Sequence, residues 1–362
     1  MSRRVFAIVA AVVACSAGLP GGVLSPGADL AEHGHWKRLK ALVEPRAAAN
    51  PNDAEAHYLL SRVRMAYHDT DGALAPAEKA VALDAKNAEY RWQLAQVVGE
   101  QAGSASIFKQ LGLAKRFKRE AEAVLAIDPK YTHAMVGLSE FYDRAPGIAG
   151  GDKQKAVALI GQIAAIDKVD GLIAKVRQLG RQSPVPLAEI EQTWVQAVQA
   201  DPSRYEPHVN LASIYASGNT PRWELAAKEA LIAKKLDAGR ATPFVVLSTI
   251  YASGERWAEL EANLAAAEKQ IPDNLTPYLR ASSALYQAGK DLPRAERYAR
   301  KYLSQEPEPT SNSLGIAHWR LGQILEKAGR KQEAIAEFQT AVKLEPKFEQ
   351  AQKDLKRVKA GS

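Results

Sequence analysis

The sequence predicts an all-α fold, an α-solenoid of about eight stacked helix pairs with a C-terminal capping helix. Three observations support this fold class. Helical periodicity runs through nearly all of the chain after residue 36, without convincing β alternation. A leucine followed by a small residue recurs with a period of about 34 residues. Prolines, which cannot continue a helix interior, stand where the pairs should end.

The leucine and the small residue beside it have a packing explanation. A small side chain lets a neighbouring helix approach closely, while the leucine fills the groove alongside. The pairs are Leu60–Ser61, Leu94–Ala95, Leu138–Ser139, Leu211–Ala212, Leu247–Ser248 and Leu321–Gly322. In the second helices, alanines seven residues apart mark one face at Ala73 and Ala80, Ala226 and Ala233, and Ala334 and Ala341. The prolines are Pro51, Pro129, Pro202, Pro272, Pro307 and Pro346.

This pattern resembles the tetratricopeptide repeat (TPR), and the resemblance covers residues 54–348. It is closest in residues 315–348, which carry Trp319, Leu321, Gly322, Gly329, Ala334, Phe338, Ala341 and Pro346 at the family's positions. The sequence as a whole resembles bacterial exported TPR proteins. The predicted pairs are 54–87, 88–131, 132–170, 171–204, 205–240, 241–274, 275–314 and 315–348, within a solenoid spanning 36–362 and capped by 349–359.

Two of the predicted pairs are longer than the period, and one has an uncertain register. The second pair is about ten residues too long and the third about five. The fourth lacks the small residue at its usual place, unless Leu179 and Gly180 supply the leucine and small residue with a shifted register.

The amino terminus has the charge order of a secretory signal. Arg3 and Arg4 precede an apolar run, residues 5–14, that is too short to span a bilayer. We therefore expect a signal peptide over residues 1–17 and a flexible Gly/Pro-rich linker over 18–35. Cys15, the only cysteine, ends a sequence similar to a lipobox, so the mature chain either carries a lipid on Cys15 or begins after a cut at Ala17. The expected location is periplasmic or envelope-associated.

The chain carries a formal charge of +7, with 46% hydrophobic and 25% charged residues. This mild basic excess permits an acidic partner without requiring one. Residues 115–119 (KRFKR) are the strongest local positive charge, and they predict either a solvated helix face or contact with acidic protein or anionic lipid. Nucleic-acid binding is disfavoured because only Phe117 could stack with bases.

No catalytic or cofactor motif is present, so we expect no enzyme activity, no cofactor and no metal. His57, His208 and His318 stand at a packing position of the repeat, and we expect structural roles for them. His33 and His35 lack further ligands nearby.

The glycine-rich residues 145–156 predict a long turn, with Asp152 capping the next helix.

The resemblance implies that the first helices line a concave groove, with repeat positions 2, 5, 9 and 12 facing a partner. Carried onto this sequence, the groove residues are Tyr58, Arg62, Trp92, Gln96, Glu140, Val209, Ser213, Thr249, Ser283, Trp319 and Gln323. The aromatic residues among them serve either as anchors for a partner or as packing between pairs. A carboxylate clamp is disfavoured, since Asn210 lacks the accompanying lysine and second asparagine.

The sequence therefore predicts a scaffold that binds a protein or peptide partner. The alternative is an enzyme, or an accessory subunit of an envelope enzyme, that uses groove residues such as Glu140 and His133. A third hypothesis, electrostatic binding through residues 115–119, predicts steep loss of binding with salt.

Overall fold

The computed structural model describes residues 24–218 and 220–360, with the backbone alone at Ile107. The expected signal peptide and Cys15 lie outside the described residues. Within them the chain forms nineteen α-helices and no strand, so the predicted all-α class is confirmed. The chain divides after Pro202 into two compact units, which are described separately.

The amino-terminal unit is a stack of helices α1 to α10. Their bounds are α1 Pro26–His33, α2 Trp36–Ala49, α3 Ala54–Ala66, α4 Thr70–Leu83, α5 Ala88–Ser104, α6 Ile107–Ile127, α7 Thr132–Arg144, α8 Lys153–Ile166, α9 Lys168–Leu179 and α10 Leu187–Ala200. A single 3-10 turn, Gly147–Ala149, lies between α7 and α8. Successive helices pack against one another along this stack.

The carboxyl-terminal unit continues the same scheme with α11 to α19. Their bounds are α11 Tyr205–Tyr215, α12 Trp223–Leu236, α13 Ala241–Ser253, α14 Trp257–Gln270, α15 Thr276–Ala288, α16 Leu292–Tyr302, α17 Leu314–Lys327, α18 Lys331–Leu344 and α19 Glu349–Ala360. Helix α19 packs against α18 and covers the end of the stack, as expected for a cap.

The repeated small residues lie where the helices of a pair approach most closely. Ser61, Ala95, Ser139, Ala212, Ser248 and Gly322 are all buried, as are the alanines at 73, 80, 226, 233, 334 and 341. In the last pair, a Cβ at Gly322 would lie 2.7 Å from the ring of Phe338. The small residue is therefore required by close packing, which is what the sequence pattern indicates.

Helix ends follow the local capping chemistry. Asp53 and Ser313 accept hydrogen bonds from the amides of Ala56 and Ile316, at the starts of α3 and α17. Asp152 accepts from the amides of Gln154 and Lys155 at 3.0 and 3.1 Å, which confirms its predicted role. The six prolines that mark ends of pairs all lie outside helices.

The structure differs from the sequence expectations in two places. The expected flexible linker, residues 18–35, contains α1, because Ser25 caps it and Gly34 ends it in a left-handed conformation. Helix α1 also packs on α2 and α3, so it is part of the stack. In the fourth pair Gly180 is exposed just after the end of α9, and the close contact of a small residue of α9 is made by Gly171 with Ala164 of α8, in the third pair.

Within the described residues, no helix combines the length and apolar character needed to cross a bilayer.

Candidate partner-binding surface

The first helices of the pairs in the carboxyl-terminal unit, α11, α13, α15 and α17, lie side by side. Their common surface is called here the first-helix face. The ninth residue of each pair reaches this surface, whereas the residue before it is buried. The surface residues in this row are Ser213, Thr249, Ser283 and Gln323.

Two of these residues satisfy their hydroxyl groups within their own helix. Ser213 Oγ donates to the carbonyl oxygen of Val209 at 2.8 Å, and Thr249 Oγ1 donates to that of Val245 at 3.0 Å. Val209 itself is buried and presents little surface. The side chains in the middle of the face are therefore short and uncharged, and two of them are already hydrogen-bonded. A partner could approach the helix backbones there without displacing a charge.

Trp319 lies at the far end of the same face and is partly exposed. Its Nε1 donates to Asp354 Oδ2 at 2.8 Å, and its ring meets Phe348 edge-on with centroids 5.2 Å apart. Gln323 Nε2 lies 3.3 Å from the same Asp354 oxygen. The capping helix α19 thus fixes the orientation of a tryptophan that solvent still reaches.

One arginine, Arg320, lies beside the aromatic rings at this end of the face. The guanidinium of Arg320 lies 4.8 Å from the ring centroid of Tyr286 and 5.1 Å from that of Trp319. Arg320 Nη1 donates to Gln323 Oε1 at 2.8 Å. Burial, together with the positive charge of Arg280, lowers the pKa of Arg320. The Trp319 end of the face is therefore basic and aromatic.

In the amino-terminal unit, the predicted groove residue Tyr58 is buried, with 6% of its surface exposed. Its hydroxyl donates to Glu89 Oε1 at 2.8 Å and accepts from Arg62 Nη1 at 3.1 Å. Tyr131 donates to the other oxygen of Glu89. Burial and the Glu89 carboxylate raise the pKa of both tyrosines. Tyr58 and Arg62 thus join α3 to α5 and to the start of α7.

Trp92, the second predicted anchor in this unit, is also buried, at 9% exposed. Its ring occupies the space beside Gly137, where a Cβ would lie 2.4 Å from Cη2. Phe117 and Tyr131 pack around it, each with a ring centroid 6.3 Å away. Of the two roles open from sequence, Trp92 has the packing role, and the neighbouring Gln96 is partly exposed.

Glu140 belongs to an ion-pair cluster between α7 and the end of α9. Its Oε1 lies 3.3 Å from Arg181 Nη1 and 3.6 Å from Arg177 Nη1, while Asp143 lies 3.4 Å from Arg181. His133 is seven residues away on the same helix, about 10 Å along its axis. These contacts give Glu140 a structural role in joining α7 to the end of α9.

Residues 315–357 match the family model of the tetratricopeptide repeat. This stretch covers α17, α18 and most of α19, including Gly322, Phe338 and Trp319. The last helix pair, together with the start of α19, is therefore a tetratricopeptide repeat. The carboxyl-terminal end of the first-helix face is therefore made by the pair that matches the TPR model itself.

Two solved structures are similar to this chain over most of its length. One is the crystal structure of yeast Tom70, with 12% identity, 92% of this chain and 80% of that chain covered, and a TM-score of 0.47. The other is a tetratricopeptide repeat protein from Parabacteroides merdae ATCC 43184, with 12% identity, 73% and 98% covered, and a TM-score of 0.44. No curated protein matches the sequence.

Two of the three histidines at the packing position of the repeat link helices, and the third bonds to the turn before its own helix. His208 Nδ1 lies 2.5 Å from Glu229 Oε2, between α11 and α12. His318 Nδ1 lies 2.6 Å from Glu337 Oε2, between α17 and α18. His57 Nε2 lies 3.1 Å from the carbonyl oxygen of Pro51. The first two contacts join the helices of their pairs, and the third is local to the turn before α3.

Sequence reasoning missed three residues that organise these surfaces: Glu89, Arg320 and Asp354. Glu89 joins two tyrosines that are 31 and 42 residues away in sequence, and the TPR pattern assigns no such role. Asp354 lies in the capping helix, after the last predicted pair, which ends at residue 348. Arg320 follows Trp319 directly in the sequence. Its position next to a predicted groove residue could have indicated that it lies near the groove.

Proposed function

We propose that this TPR protein is a scaffold that binds a protein partner on the first-helix face of its carboxyl-terminal unit. The observation that carries the proposal is the row of Ser213, Thr249 and Ser283, which leads to the partly exposed Trp319. The protein acts by binding rather than by making bonds. Turnover by the purified protein would contradict this, and would favour the enzyme hypothesis.

The chemistry of this face suits a polypeptide. Short side chains at Ser213, Thr249 and Ser283 leave room for an extended segment or a helix of the partner. A tryptophan that is held in place by Asp354 loses little conformational freedom on binding, and tryptophans often dominate interface energies. The basic surroundings at Arg320 favour a partner that presents carboxylates near the Trp319 end.

The predicted groove residues of the amino-terminal unit have a supporting part in this proposal. Tyr58 and Trp92 are buried between helices, so they shape the unit without offering much surface to a partner. Arg62, Gln96 and Glu140 keep part of their surface exposed and contribute polar contacts there. The main anchor of the proposed interface is therefore Trp319.

The proposed location is the bacterial cell envelope. It rests on the sequence of residues 1–17, with its two arginines and apolar run, and on Cys15 at the end of a lipobox-like sequence. Mass spectrometry of the mature chain tests it. A lipidated Cys15 supports a membrane tether, and a chain that begins at residue 18 supports release. An intact Met1 in the native host would contradict export.

The binding proposal is tested by filling the face without disturbing the core. Ser213→Trp with Thr249→Trp places two large side chains on the first helices. Ala262→Trp with Ala265→Trp is the matched control, because both alanines are exposed on the second helix α14. We expect crosslinked partners in the native host to be lost only with the first pair. Equal recovery with both pairs would refute the proposal.

A further inference from the structure

One edge of the amino-terminal unit collects the turns inside three successive helix pairs: α5–α6, α7–α8 and α9–α10. Helices α7 and α9 run in the same direction, because Thr132 near the start of α7 donates to Asp170 near the start of α9 at 2.7 Å. Further along, Glu140 of α7 pairs with Arg177 of α9. The ends of these helices, and the turns that follow them, therefore lie next to each other.

The first of the three turns belongs to the same edge. Glu89 at the start of α5 bonds to Tyr131, just before the start of α7, so these helices also run in parallel. The 3-10 turn Gly147–Ala149 contacts α6 directly. A Cβ at Gly150 would lie 3.5 Å from Lys118 Nζ of α6. The second turn thus packs on α6 at Lys118, ten residues and about 15 Å along the helix axis from Phe108, so the α5–α6 turn lies on the same side of the stack but extends beyond the second turn.

Each of these turns, or the start of the helix that follows it, presents a large hydrophobic side chain to solvent. Phe108 is 93% exposed, Ile148 79% and Leu187 73%, and Val185 is exposed beside Leu187. These four residues are called here the apolar edge. The corresponding turns near residues 68, 255, 290 and 329 carry no exposed large hydrophobic residue among those described, and the turn near residue 218 is followed in α12 by Leu225, which is 45% exposed. The three most exposed large hydrophobic side chains of the described residues thus belong to three successive pairs.

The fold does not require these side chains, since exposed hydrophobic groups stabilise no core. They also stand on separate turns and do not line one groove. A peptide bound in a cleft would need a continuous apolar groove. Separate exposed apolar side chains can instead each insert into a flat and deformable apolar layer. The interfacial region of a lipid bilayer is such a layer.

Positive charge accompanies the apolar edge. Lys109 follows Phe108, and Lys153 begins the helix after Ile148; both are exposed and neither has an ion-pair partner in the described structure. Three acids of the same region are paired with basic side chains. Asp143 pairs with Arg181 at 3.4 Å, Asp152 with Lys155 at 3.8 Å and Glu189 with Lys175 at 3.0 Å. An anionic surface is therefore electrostatically matched to this edge.

We propose that the apolar edge docks this protein onto the surface of an anionic lipid bilayer. Phe108, Ile148 and Leu187 enter the interfacial layer, while Lys109 and Lys153 contact lipid phosphates. Isoleucine and leucine do not stack on bases, so the apolar component favours lipid over nucleic acid. This contact is independent of a lipid on Cys15 and of partner binding by the carboxyl-terminal unit.

The basic run at residues 115–119 contributes less than the sequence suggests. Arg116 is paired with Glu78 at 2.5 Å, and Phe117 packs against Trp92 in the interior. Lys115 and Arg119 remain exposed on α6. They extend the positive charge along the helix away from the apolar edge, and they add long-range attraction without supplying the inserted side chains.

The test measures binding of the full chain to vesicles of phosphatidylcholine with and without phosphatidylglycerol. The edge variant carries Phe108→Ser, Ile148→Ser and Leu187→Ser. The matched control carries Leu225→Ser, Leu231→Ser and Leu344→Ser, which are about half-exposed leucines on second helices of the other unit. We expect the edge variant to bind phosphatidylglycerol vesicles about tenfold more weakly or worse, and the control to bind as the unmodified chain does.

Hydrogen exchange locates the contact and separates it from any binding by residues 1–17. We expect vesicles to protect amides near residues 104–112, 145–152 and 180–188 in the unmodified chain and in the control. Three results would overturn the proposal: no binding of the unmodified chain, equal binding by the edge variant, or protection elsewhere only. Loss of a protein contact with unchanged vesicle binding would point instead to a protein at this edge.

Two further readouts complete the test. Circular dichroism must show unchanged helix content in both variants, as expected for side chains that pack against nothing. Binding should weaken with added salt, because Lys109 and Lys153 supply part of the attraction. Binding that salt leaves unchanged would remove the electrostatic part of the proposal.

Discussion

The ring of Phe338 in α18 fills the space that a side chain on Gly322 in α17 would need. A Cβ at Gly322 would lie 2.7 Å from two ring atoms, and Phe338 has no exposed surface. The two helices of the last TPR can approach each other only because residue 322 has no side chain. The same requirement explains the small residues at equivalent positions in the other pairs.

Gly322→Ala should destabilise the last helix pair. Overpacking against a fully buried ring costs about 1 to 3 kcal/mol, and the better helix propensity of alanine returns up to about 1 kcal/mol. Hydrogen exchange of α17 and α18 measures the result. Gly112→Ala is the control, because no atom lies within 4 Å of its added Cβ, and it should stabilise α6 slightly. Equal effects at both glycines would contradict the packing argument.

Asn263 should be essential to the middle of the carboxyl-terminal unit. It is buried, and its Nδ2 donates to the carbonyl of Phe244 at 2.9 Å and to Ser248 Oγ at 3.0 Å. Lys234 Nζ donates to its Oδ1 at 3.0 Å. Asn263→Ala should cost about 2 to 3 kcal/mol, because buried polar groups lose their partners. Denaturation and exchange of α13 measure this loss, and the exposed Gln270→Ala should change little.

Glu89→Ala should loosen the amino-terminal unit. Tyr58 and Tyr131 would each lose the acceptor of their hydroxyl groups, which we expect to cost on the order of 2 kcal/mol. Exchange should accelerate in α3, α5 and the start of α7 together. Glu78→Ala removes an exposed carboxylate paired with Arg116, and should cost under about 1 kcal/mol. A larger loss of stability from Glu78→Ala than from Glu89→Ala would contradict the role of Glu89 as the shared acceptor of the two tyrosines.

The Tyr278–Glu268 contact predicts a pH dependence. Tyr278 donates to Glu268 Oε1 at 2.5 Å, and this hydrogen bond, with Lys301 adding to it, lowers the pKa of the carboxyl group. A lowered carboxyl pKa in the folded state stabilises the protein above the pKa of the unfolded state. That stability is lost as the pH falls through the folded-state pKa.

Tyr278→Phe should therefore destabilise α14 and α15 near neutral pH by up to about 1 kcal/mol. The difference from the unmodified chain should shrink as the pH falls below about 4.5. Melting temperatures across this pH range provide the measurement. Tyr251→Phe serves as the control, because no hydrogen bond from its hydroxyl to a carboxylate is described. If the difference in melting temperature between the variant and the unmodified chain grew as the pH fell, the pKa of Glu268 would not be lowered in the folded state.

The sequence predicted the fold well because the fold repeats. Residues such as Ser61, Ala95 and Gly322 meet the same packing constraint in each pair, so the pattern is visible without a structure. The exceptions are places without a repeating constraint. Helix α1 depends on the caps Ser25 and Gly34 and on contacts with α2 and α3. The Gly/Pro-rich composition of this segment indicates a flexible linker, so the sequence alone does not predict the helix.

The candidate site was less predictable than the fold. Repeat position alone does not separate a buried aromatic such as Trp92 from a partly exposed one such as Trp319. The difference arises from neighbours distant in sequence: Gly137 and Phe117 enclose Trp92, whereas Asp354 of the cap orients Trp319. The apolar edge was also missed, because Phe108, Ile148 and Leu187 belong to turns that lie together only after the pairs have stacked.

Site-specific photo-crosslinking in the native host tests the central claim most directly. A benzophenone side chain at Ser213 or Thr249 lies on the first-helix face, and one at Ala262 lies on the exposed side of α14. We expect a discrete protein adduct from the first two positions and none from the third. Adducts from Ala262 alone, or no adduct from either position on the first-helix face, would contradict the proposed binding surface.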